Sequence, residues 1–298
     1  MRFIRPIALA TVAVLTLTSL VMYTGRAEAA DKVESITLSP VAKNYEVKPG
    51  QIIHDTVTIL NDGQTAYDFT IYGAPYSVSN GAYDPSFASV NPDADAYTWL
   101  QFAKTTYHIE PRQTIKVPYT VQVKSDAAPG GHYGAIMAEV EPGDDAGQLA
   151  RKKRVASIVY ATVAGDVKLA GSVTAIDVPW YQSTTPLTAS ATVKNTGNTH
   201  FTSTVDYQVS DLLGRTVYQT KGDYTVLPNT TRNIAVQWND AAWFGLYHVN
   251  FTTNVLGHNT TTSTFVLIMP IWLIVLLFVA LAIGGAYGLS RRSYRSTK

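Results

Sequence analysis

The chain has 298 residues and no cysteine, and its formal net charge at pH 7 is +1. This length is enough for about two domains of ordinary size, and the lack of cysteine excludes disulfides and a lipid-modified cysteine. Basic residues are concentrated at the two ends, which leaves the middle of the chain mildly acidic. We therefore predict that nucleic acid is not a partner.

The first 29 residues have the features of an export signal. Arg2 and Arg5 precede the apolar run "PIALATVAVLTLTSLVM", and the stretch ends in Ala27-Glu28-Ala29, whose small residues suit signal peptidase. We predict that residues 1–29 are a signal peptide cleaved after Ala29. An uncleaved anchor is the alternative, because the apolar run is slightly long for a signal.

The part between the two hydrophobic ends has the pattern of short strands. Apolar and polar residues alternate in "TIKVPYTVQVK", residues 114–124, and again around Val205, Ile234 and Val249. This period of two is typical of half-buried strands, and Pro118 is expected on a solvent face at a sheet edge. We predict an all-β fold of two β-sandwiches, residues 30–150 and 151–266, with a boundary somewhere in 141–170.

A repeat supports the division into two sandwiches. "TVTILNDGQTAYDFTIYG" (56–73) and "SATVKNTGNTHFTSTVDYQV" (190–209) each have the pattern of a strand, an Asn-x-Gly turn and a second strand, which predicts a hairpin. In each half a Pro-x-x-Thr segment that opens a strand follows, and then a Gly-x-Tyr strand. The matching order predicts two related domains in tandem.

The longest insertion between strands, residues 73–102, concentrates aromatic side chains among Asn and Asp. Flat rings beside amides and carboxylates suit sugar rings, and binding residues favour such loops. We assign Tyr76, Tyr83, Tyr97 and Trp99 as candidate ligand-binding residues. The alternative is that these rings anchor the loop or plug the end of the sandwich.

An apolar stretch near the C-terminus, residues 267–289, is long enough to span a bilayer as a helix. The basic segment 290–298 follows it, so the positive-inside rule places the C-terminus in the cytoplasm and both sandwiches outside. We predict a single-pass cell-membrane protein, most of which is extracellular.

No catalytic, cofactor or metal motif stands out in the sequence. The six histidines lack zinc spacing, and Asp84, Asp93 and Asp95 lack the remaining features of a calcium loop. No nucleophile elbow, phosphate loop or glycosidase-like carboxylate pair is evident. We therefore predict no enzyme activity, no cofactor and no metal.

Several motifs in order resemble the WxL-interacting proteins of Gram-positive bacterial surfaces. The motifs are Leu-Ser-Pro…Val-Lys-Pro-Gly at 38–50, Asn-Asp-Gly at 61–63, Ser-Asn-Gly-Ala-Tyr at 79–83, Ile-Glu-Pro-Arg-Gln-Thr at 109–114 and Pro-Gly-Gly-His-Tyr-Gly-Ala-Ile at 129–136. The resemblance implies two immunoglobulin-like domains, the first binding peptidoglycan and the second a host or partner protein. No Trp-x-Leu occurs in this chain, so it resembles the interacting partner and not a WxL protein.

These features predict a non-enzymatic, membrane-anchored surface protein that binds peptidoglycan or another wall polymer. Its second partner is a surface or host protein, for which a WxL protein is one candidate. One alternative is a membrane-tethered scaffold or chaperone whose exposed strand edges pair with an exported protein. A wall-glycan enzyme is a third hypothesis, and it requires a close pair of carboxylates in a cleft.

Overall fold

A computed structural model describes residues 35–88, 91–140 and 153–296, with the backbone alone for 288–296. The predicted signal peptide, residues 1–29, lies outside these residues. The described chain forms two β-sandwiches followed by one helix. This confirms the all-β prediction for the part of the chain before the helix.

The first sandwich packs a four-stranded sheet, in the order β1-β3-β9-β7, against a five-stranded sheet, β2-β11-β10-β4-β8. A short pair, β5-β6, and a 3₁₀ helix, Ala96–Trp99, lie in the insertion after β4. The strands are β1 (Ile36–Ser39), β2 (Ala42–Val47), β3 (Ile52–Asn61), β4 (Tyr67–Pro75), β5 (Ser77–Val78), β6 (Pro85–Ser86), β7 (Leu100–Phe102), β8 (Thr106–Ile109), β9 (Thr114–Gln122), β10 (Gly130–Val140) and β11 (Arg154–Val163).

The second sandwich packs a three-stranded sheet, β12-β14-β17, against a five-stranded sheet, β13-β19-β18-β15-β16. Its strands are β12 (Gly171–Asp177), β13 (Tyr181–Gln182), β14 (Leu187–Asn195), β15 (Phe201–Ser210), β16 (Thr216–Val226), β17 (Thr231–Trp238), β18 (Gly245–Val255) and β19 (His258–Ile268). Alternate residues of these strands fill the core, as the period of two predicts.

Both sandwiches have the same topology. In each, the second strand pairs in parallel with the last strand of the domain, and every other pairing within the two large sheets is antiparallel. The two copies of the sequence repeat occupy equivalent strands, β3–β4 and β14–β15. The order of strands is that of immunoglobulin-like sandwiches, and the predicted repeat is confirmed.

The Asn-x-Gly segments do not form hairpins, so that prediction is wrong. β3 and β4 belong to different sheets, as do β14 and β15, and each segment is a corner between sheets. Asn61 and Asn195 are fully buried at these corners. In both, the side-chain amide donates to the carbonyl four residues ahead and its oxygen accepts from the glycine N–H. The Asn side chain shared by the two copies of the repeat thus satisfies backbone groups where the chain leaves a sheet.

The boundary between the sandwiches lies within the predicted range 141–170, but later than residue 150. β11 pairs with β10 over nearly its whole length and with β2 in parallel, so it completes the first sandwich. Val159, Ala161 and Val163 are buried in the first core. The second sandwich begins with β12, after the segment 164–170.

The apolar stretch predicted to span a membrane begins as strand. Leu267 and Ile268 pair with β18, and helix α1 (Ile271–Ser296) begins after Pro270. The predicted tail 290–298 is therefore helical as far as Ser296. Among the residues that the structure describes, no helix is both long and apolar enough to cross a membrane.

Candidate functional site: the junction between the sandwiches

The outer face of the five-stranded sheet in the first sandwich is covered by protein. Every residue of β10 is buried, because one side of the strand faces the core and the other faces a second apolar cluster. This cluster combines the first sandwich, its insertion and one residue of the second sandwich, Leu227. Its buried members are Ala74, Tyr76, Tyr133, Ala135, Met137, Tyr160 and Leu227.

The insertion lies directly on this sheet because two strand positions lack a side chain. A Cβ atom at Gly134 would lie 2.6 Å from the backbone nitrogen of Tyr97, and one at Gly73 would lie 2.8 Å from the Tyr97 carbonyl oxygen. Only glycine permits such a close approach of two backbones. The 3₁₀ helix can therefore place Trp99 in the first core, where it is 1% exposed.

His132 fastens the same insertion to β10. Its Nδ1 lies 2.6 Å from an Asp95 carboxylate oxygen and its Nε2 lies 2.8 Å from the Ala128 carbonyl oxygen. A carbonyl can only accept and a carboxylate oxygen is a strong acceptor, so these contacts favour an imidazole with a proton on both nitrogens. Burial alone would lower the pKa of His132, but these hydrogen bonds outweigh it and the pKa is raised.

The motif at residues 79–83 binds the second sandwich through its backbone. The Gly81 N–H donates to the Thr231 carbonyl at 2.8 Å, and the Gly81 carbonyl accepts from the Asn233 N–H at 3.0 Å. The Asn80 side-chain oxygen accepts from the Thr231 N–H at 2.9 Å. Gly81 has a φ of +81°, a left-handed conformation that favours glycine. The segment thus adds one bridge to β17 at the start of that strand.

Tyr83 and Arg232 form the most specific contact of the junction. The Tyr83 hydroxyl accepts a hydrogen bond from the Leu227 N–H at 2.7 Å, and burial raises its pKa to about 12. The Arg232 guanidinium lies 4.2 Å from the centre of the Tyr83 ring and 5.1 Å from that of Tyr224. It also donates to the Thr225 carbonyl at 2.6 Å. A cation held between two rings is worth about 1 kcal/mol or more when it is desolvated.

A second histidine, His200, comes from the second sandwich. Its ring lies 5.0 Å from that of Tyr160 and 5.7 Å from that of Tyr133, both on the first sandwich. Burial lowers the pKa of His200 to about 4, so the ring is neutral at pH 7. The junction therefore contains one histidine with a raised pKa, His132, and one with a lowered pKa, His200.

The four predicted ligand-binding residues contribute to packing at or beside this junction. Tyr76 is 7% exposed in the apolar cluster, and Tyr83 contacts Leu227 and Arg232. Tyr97 is half-buried where the 3₁₀ helix crosses the sheet, and Trp99 is in the first core. The structure therefore favours the anchoring alternative, because Tyr76 and Trp99 offer almost no surface to a sugar. Sugar binding by the partly exposed rings of Tyr83 and Tyr97 stays a prediction.

A small cleft between the sandwiches is lined by residues of both, including Ser77, Asp93 and Thr230. Its free space is about 40 Å³, far below the several hundred Å³ of typical ligand pockets. Burial raises the pKa of Asp93, but the neighbouring Asp95 is bonded to His132. A glycosidase needs two available carboxylates and room for a sugar, and this cleft supplies neither.

A partly buried charge cluster joins the two sheets of the first sandwich. One Asp55 oxygen accepts from Lys43 at 2.8 Å and from the Tyr45 hydroxyl at 2.7 Å. Burial alone would raise the pKa of Asp55, but these bonds and the Thr56 N–H lower it. Burial raises the pKa of Tyr119 to about 12. An ionised acid and neutral phenols at pH 7 stabilise the fold but include no general base poised near neutrality.

An open groove of about 260 Å³ lies on the opposite, four-stranded sheet. Its lining includes the exposed side chains of His54, Thr56, Gln101 and Pro118. Pro118 faces solvent as predicted, just beyond the residues of β9 that pair with β7. Within the described residues, no group of three or more metal-ligating side chains exists here or elsewhere.

No protein-family model matches the chain, and no curated protein sequence matches it. Its fold resembles several solved chaperone structures. The class 5 fimbriae chaperone CfaA is 12% identical with a TM-score of 0.39, covering 79% of this chain and all of that one. The Pseudomonas aeruginosa CupB2 chaperone is 10% identical with a TM-score of 0.38, covering 77% and 100%. A chain of the Salmonella enterica SafA pilin–SafB chaperone complex is 10% identical with a TM-score of 0.37, covering 80% and 98%. Similarity at this level does not carry a function from one protein to another.

Sequence reasoning missed the residues that build the junction from the second sandwich, Leu227, Arg232 and His200. The sequence does contain the two motifs that meet at the junction. They are Ser-Asn-Gly-Ala-Tyr at 79–83 and "LPNTTR" at 227–232, and the structure places them against each other. Nothing in a single sequence pairs two loops that lie about 150 residues apart.

Proposed function

We propose that the protein is a non-enzymatic scaffold or chaperone for an exported protein, which it binds by adding a strand to an open sheet edge. The observation that carries this proposal is β16, Thr216–Val226. It pairs with β15 along its length, and within the described residues no strand pairs with its other side. An unpaired row of backbone N–H and C=O groups is a template for a partner strand.

The edge is long, and it is accessible except near its end, where the Thr225 carbonyl accepts from Arg232. β16 has 11 residues, whereas its equivalent in the first sandwich, β8, has 4. Val217, Gln219 and Lys221 face solvent on alternate positions, and Tyr218 and Tyr224 are half-buried on the inner side. Lys221 and Asp223 provide the charge that keeps an edge from pairing indiscriminately. A client strand would therefore need complementary charges as well as β-forming residues.

Site-specific crosslinking in cells tests this proposal. A photo-crosslinking p-benzoylphenylalanine at Gln219 of β16 should give one dominant protein adduct. The matched control is Gln113, an exposed glutamine just before β9 of the first sandwich, which should give none. Equal adducts from both positions, or adducts with wall material alone, would contradict strand addition at β16.

A second candidate is binding of peptidoglycan or another wall polymer. The resemblance to WxL-interacting proteins favours it, with a WxL protein as the protein partner, and so does the groove at His54 and Gln101. That groove is open and has amide, imidazole and hydroxyl groups for sugar hydroxyls. Full-length protein in detergent should co-sediment with isolated peptidoglycan, and the double variant His54→Ala/Gln101→Ala should not. Complete recovery of the wild type in the supernatant would remove this candidate.

The proposed location is outside the cytoplasmic membrane, with the C-terminal segment as the tether. The export-signal pattern of residues 1–29 and the basic residues after the apolar stretch support it. Protease added to intact cells should digest both sandwiches. Protection of both in intact cells, with digestion after lysis, would place the protein inside.

A further inference from the structure

The two ends of the second sandwich differ sharply in polarity. The end that faces the first sandwich is formed by the corner after β14, the loop before β17 and the turn before β19, and the first two contact the first sandwich. The far end is formed by the loops at 178–186, 211–215 and 239–244 and by the start of α1. Every one of these far-end segments carries at least one large, exposed apolar side chain.

The exposure of these side chains is extreme for a folded domain. Trp180 is 71% exposed, Leu213 79% and Trp243 60%. Among described residues from Gly171 to Ile268, each exposed large apolar side chain lies in a far-end loop or within four residues of that end of its strand. The full set is Trp180, Leu212, Leu213, Val217, Trp243, Phe244, Leu246 and Phe265. A cluster of this kind marks an interaction surface, whereas single exposed residues are ordinary.

The chain leaves the sandwich at this same end. Helix α1 follows β19 after only Met269 and Pro270, and the Tyr181 hydroxyl donates to the Met269 carbonyl at 2.9 Å. The Trp272 ring on the helix stacks on Trp243 with centres 6.1 Å apart and planes inclined by 21°. These contacts hold the start of the helix against the far end.

We propose that the far-end loops dock into the interface of a lipid bilayer, with Trp180, Leu213 and Trp243 at the level of the headgroups. The surface is continuous with α1, whose apolar side chains are exposed around the helix as far as Tyr287. These apolar side chains lie on separate loops around an open groove lined in part by Trp243, Ile271 and Trp272. Such an uneven surface suits a soft apolar layer better than a rigid protein partner. Tryptophan is also the side chain that membrane interfaces favour.

Charge decides which lipid is appropriate. The charged residues of this end are Asp177, Asp211, Arg215 and Asp240, and Asp211 and Arg215 pair at 2.7 Å. The remaining charge is acidic, so anionic headgroups would be repelled and docking depends on apolar insertion. A zwitterionic phosphatidylcholine bilayer is therefore the right probe.

The absence of cysteine gives a clean test. A single cysteine at Leu213 (L213C) carries the environment-sensitive dye NBD, and the full-length protein is reconstituted in phosphatidylcholine vesicles. Leu169→Cys is the matched control, because Leu169 is 56% exposed but lies outside the far end. Both positions are exposed, so neither substitution disturbs a core.

We expect NBD at 213 to shift its emission to the blue and to lose at least half its intensity when nitroxide-labelled phosphatidylcholine is included. NBD at 169 should show neither effect. Equal emission and quenching at the two positions would overturn the proposal. A blue shift at 213 without quenching by the labelled lipid would also overturn it, because it would show that protein, including a second copy of this chain, covers the surface.

Discussion

The two sandwiches share one strand order but use their five-stranded sheets differently. In the first, every residue of the central strand β10 is buried, whereas its equivalent β18 has an exposed Leu246 and alternates between buried and half-buried residues only from Val249 onward. The difference comes from the insertion after β4, which covers the first sheet and joins it to the second sandwich. One loop of the first sandwich therefore forms the junction between two otherwise similar domains. The five-stranded sheet of the second sandwich has no such cover and keeps an open edge at β16.

The largest expected effect tests the buried asparagine corner that the two sandwiches share. Asn61→Ala and Asn195→Ala should each lower the free energy of unfolding of their own sandwich by about 3 kcal/mol. Each change leaves a buried glycine N–H and a buried carbonyl without a partner. Urea unfolding followed by tryptophan fluorescence measures the loss. Asn233→Ala changes an exposed asparagine and is the control. A loss of stability at only one of the two corners would show that the corners are not equivalent.

The next largest effect tests the insertion after β4, which only the first sandwich has. Gly134→Ala should cost about 2 kcal/mol, because the new Cβ meets the backbone of Tyr97 and the insertion must move. Thermal unfolding should show the loss, together with faster proteolysis of residues 76–102. Gly284→Ala adds a methyl group in open space and should cost nothing. Equal stability of the two variants would mean that the insertion is not seated on the sheet.

His200 at the junction should make the free energy of unfolding depend on pH. Burial lowers the pKa of His200 to about 4, below the ordinary histidine pKa of about 6.5. Above about pH 6.5 the ring is neutral in both the folded and the unfolded chain, and the folded state keeps its full stability. Between about pH 6.5 and pH 4 the unfolded chain binds a proton on this histidine that the folded chain does not, so the free energy of unfolding falls with the pH, by about 3 kcal/mol in total.

The comparison of wild type with His200→Gln isolates this histidine from the carboxylates that titrate in the same range. Unfolding from pH 7.5 to 4.5 should show a smaller acid loss in the variant than in the wild type. His258→Gln, an exposed change in the same sandwich, should leave the wild-type slope. Parallel curves for wild type and His200→Gln would show that His200 is not buried between the domains.

The smallest expected effect concerns two arginines of the second sandwich. Arg232→Lys should cost about 1 kcal/mol, because lysine cannot reproduce the planar stack between two tyrosines. Arg215→Lys alters a surface pair with Asp211 and should change stability less than Arg232→Lys does. Thermal shift measurements on the two variants compare their stabilities directly. A larger loss of stability in Arg215→Lys than in Arg232→Lys would contradict the packing of Arg232 on the two tyrosines.

Much of the fold could be predicted because strand patterning is local. The alternation around Val117, Val205 and Ile234 places those residues in the cores, and the repeated Asn-x-Gly segments identify equivalent positions. The corners were mistaken for hairpins because an Asn-x-Gly turn looks the same whether the next strand joins the same sheet or the opposite one. The site was harder, since the aromatic residues of 73–102 could face a ligand or another domain.

What the sequence determined by itself is the all-β character, the duplication and the apolar C-terminal segment, since each depends on spacing along the chain. Tertiary structure alone decided that β11 belongs to the first sandwich, that Tyr83 meets Arg232 and that the exposed tryptophans share one end. These facts depend on contacts between residues far apart in sequence. The free energy of such contacts depends on which surfaces are buried together, and no local pattern records that.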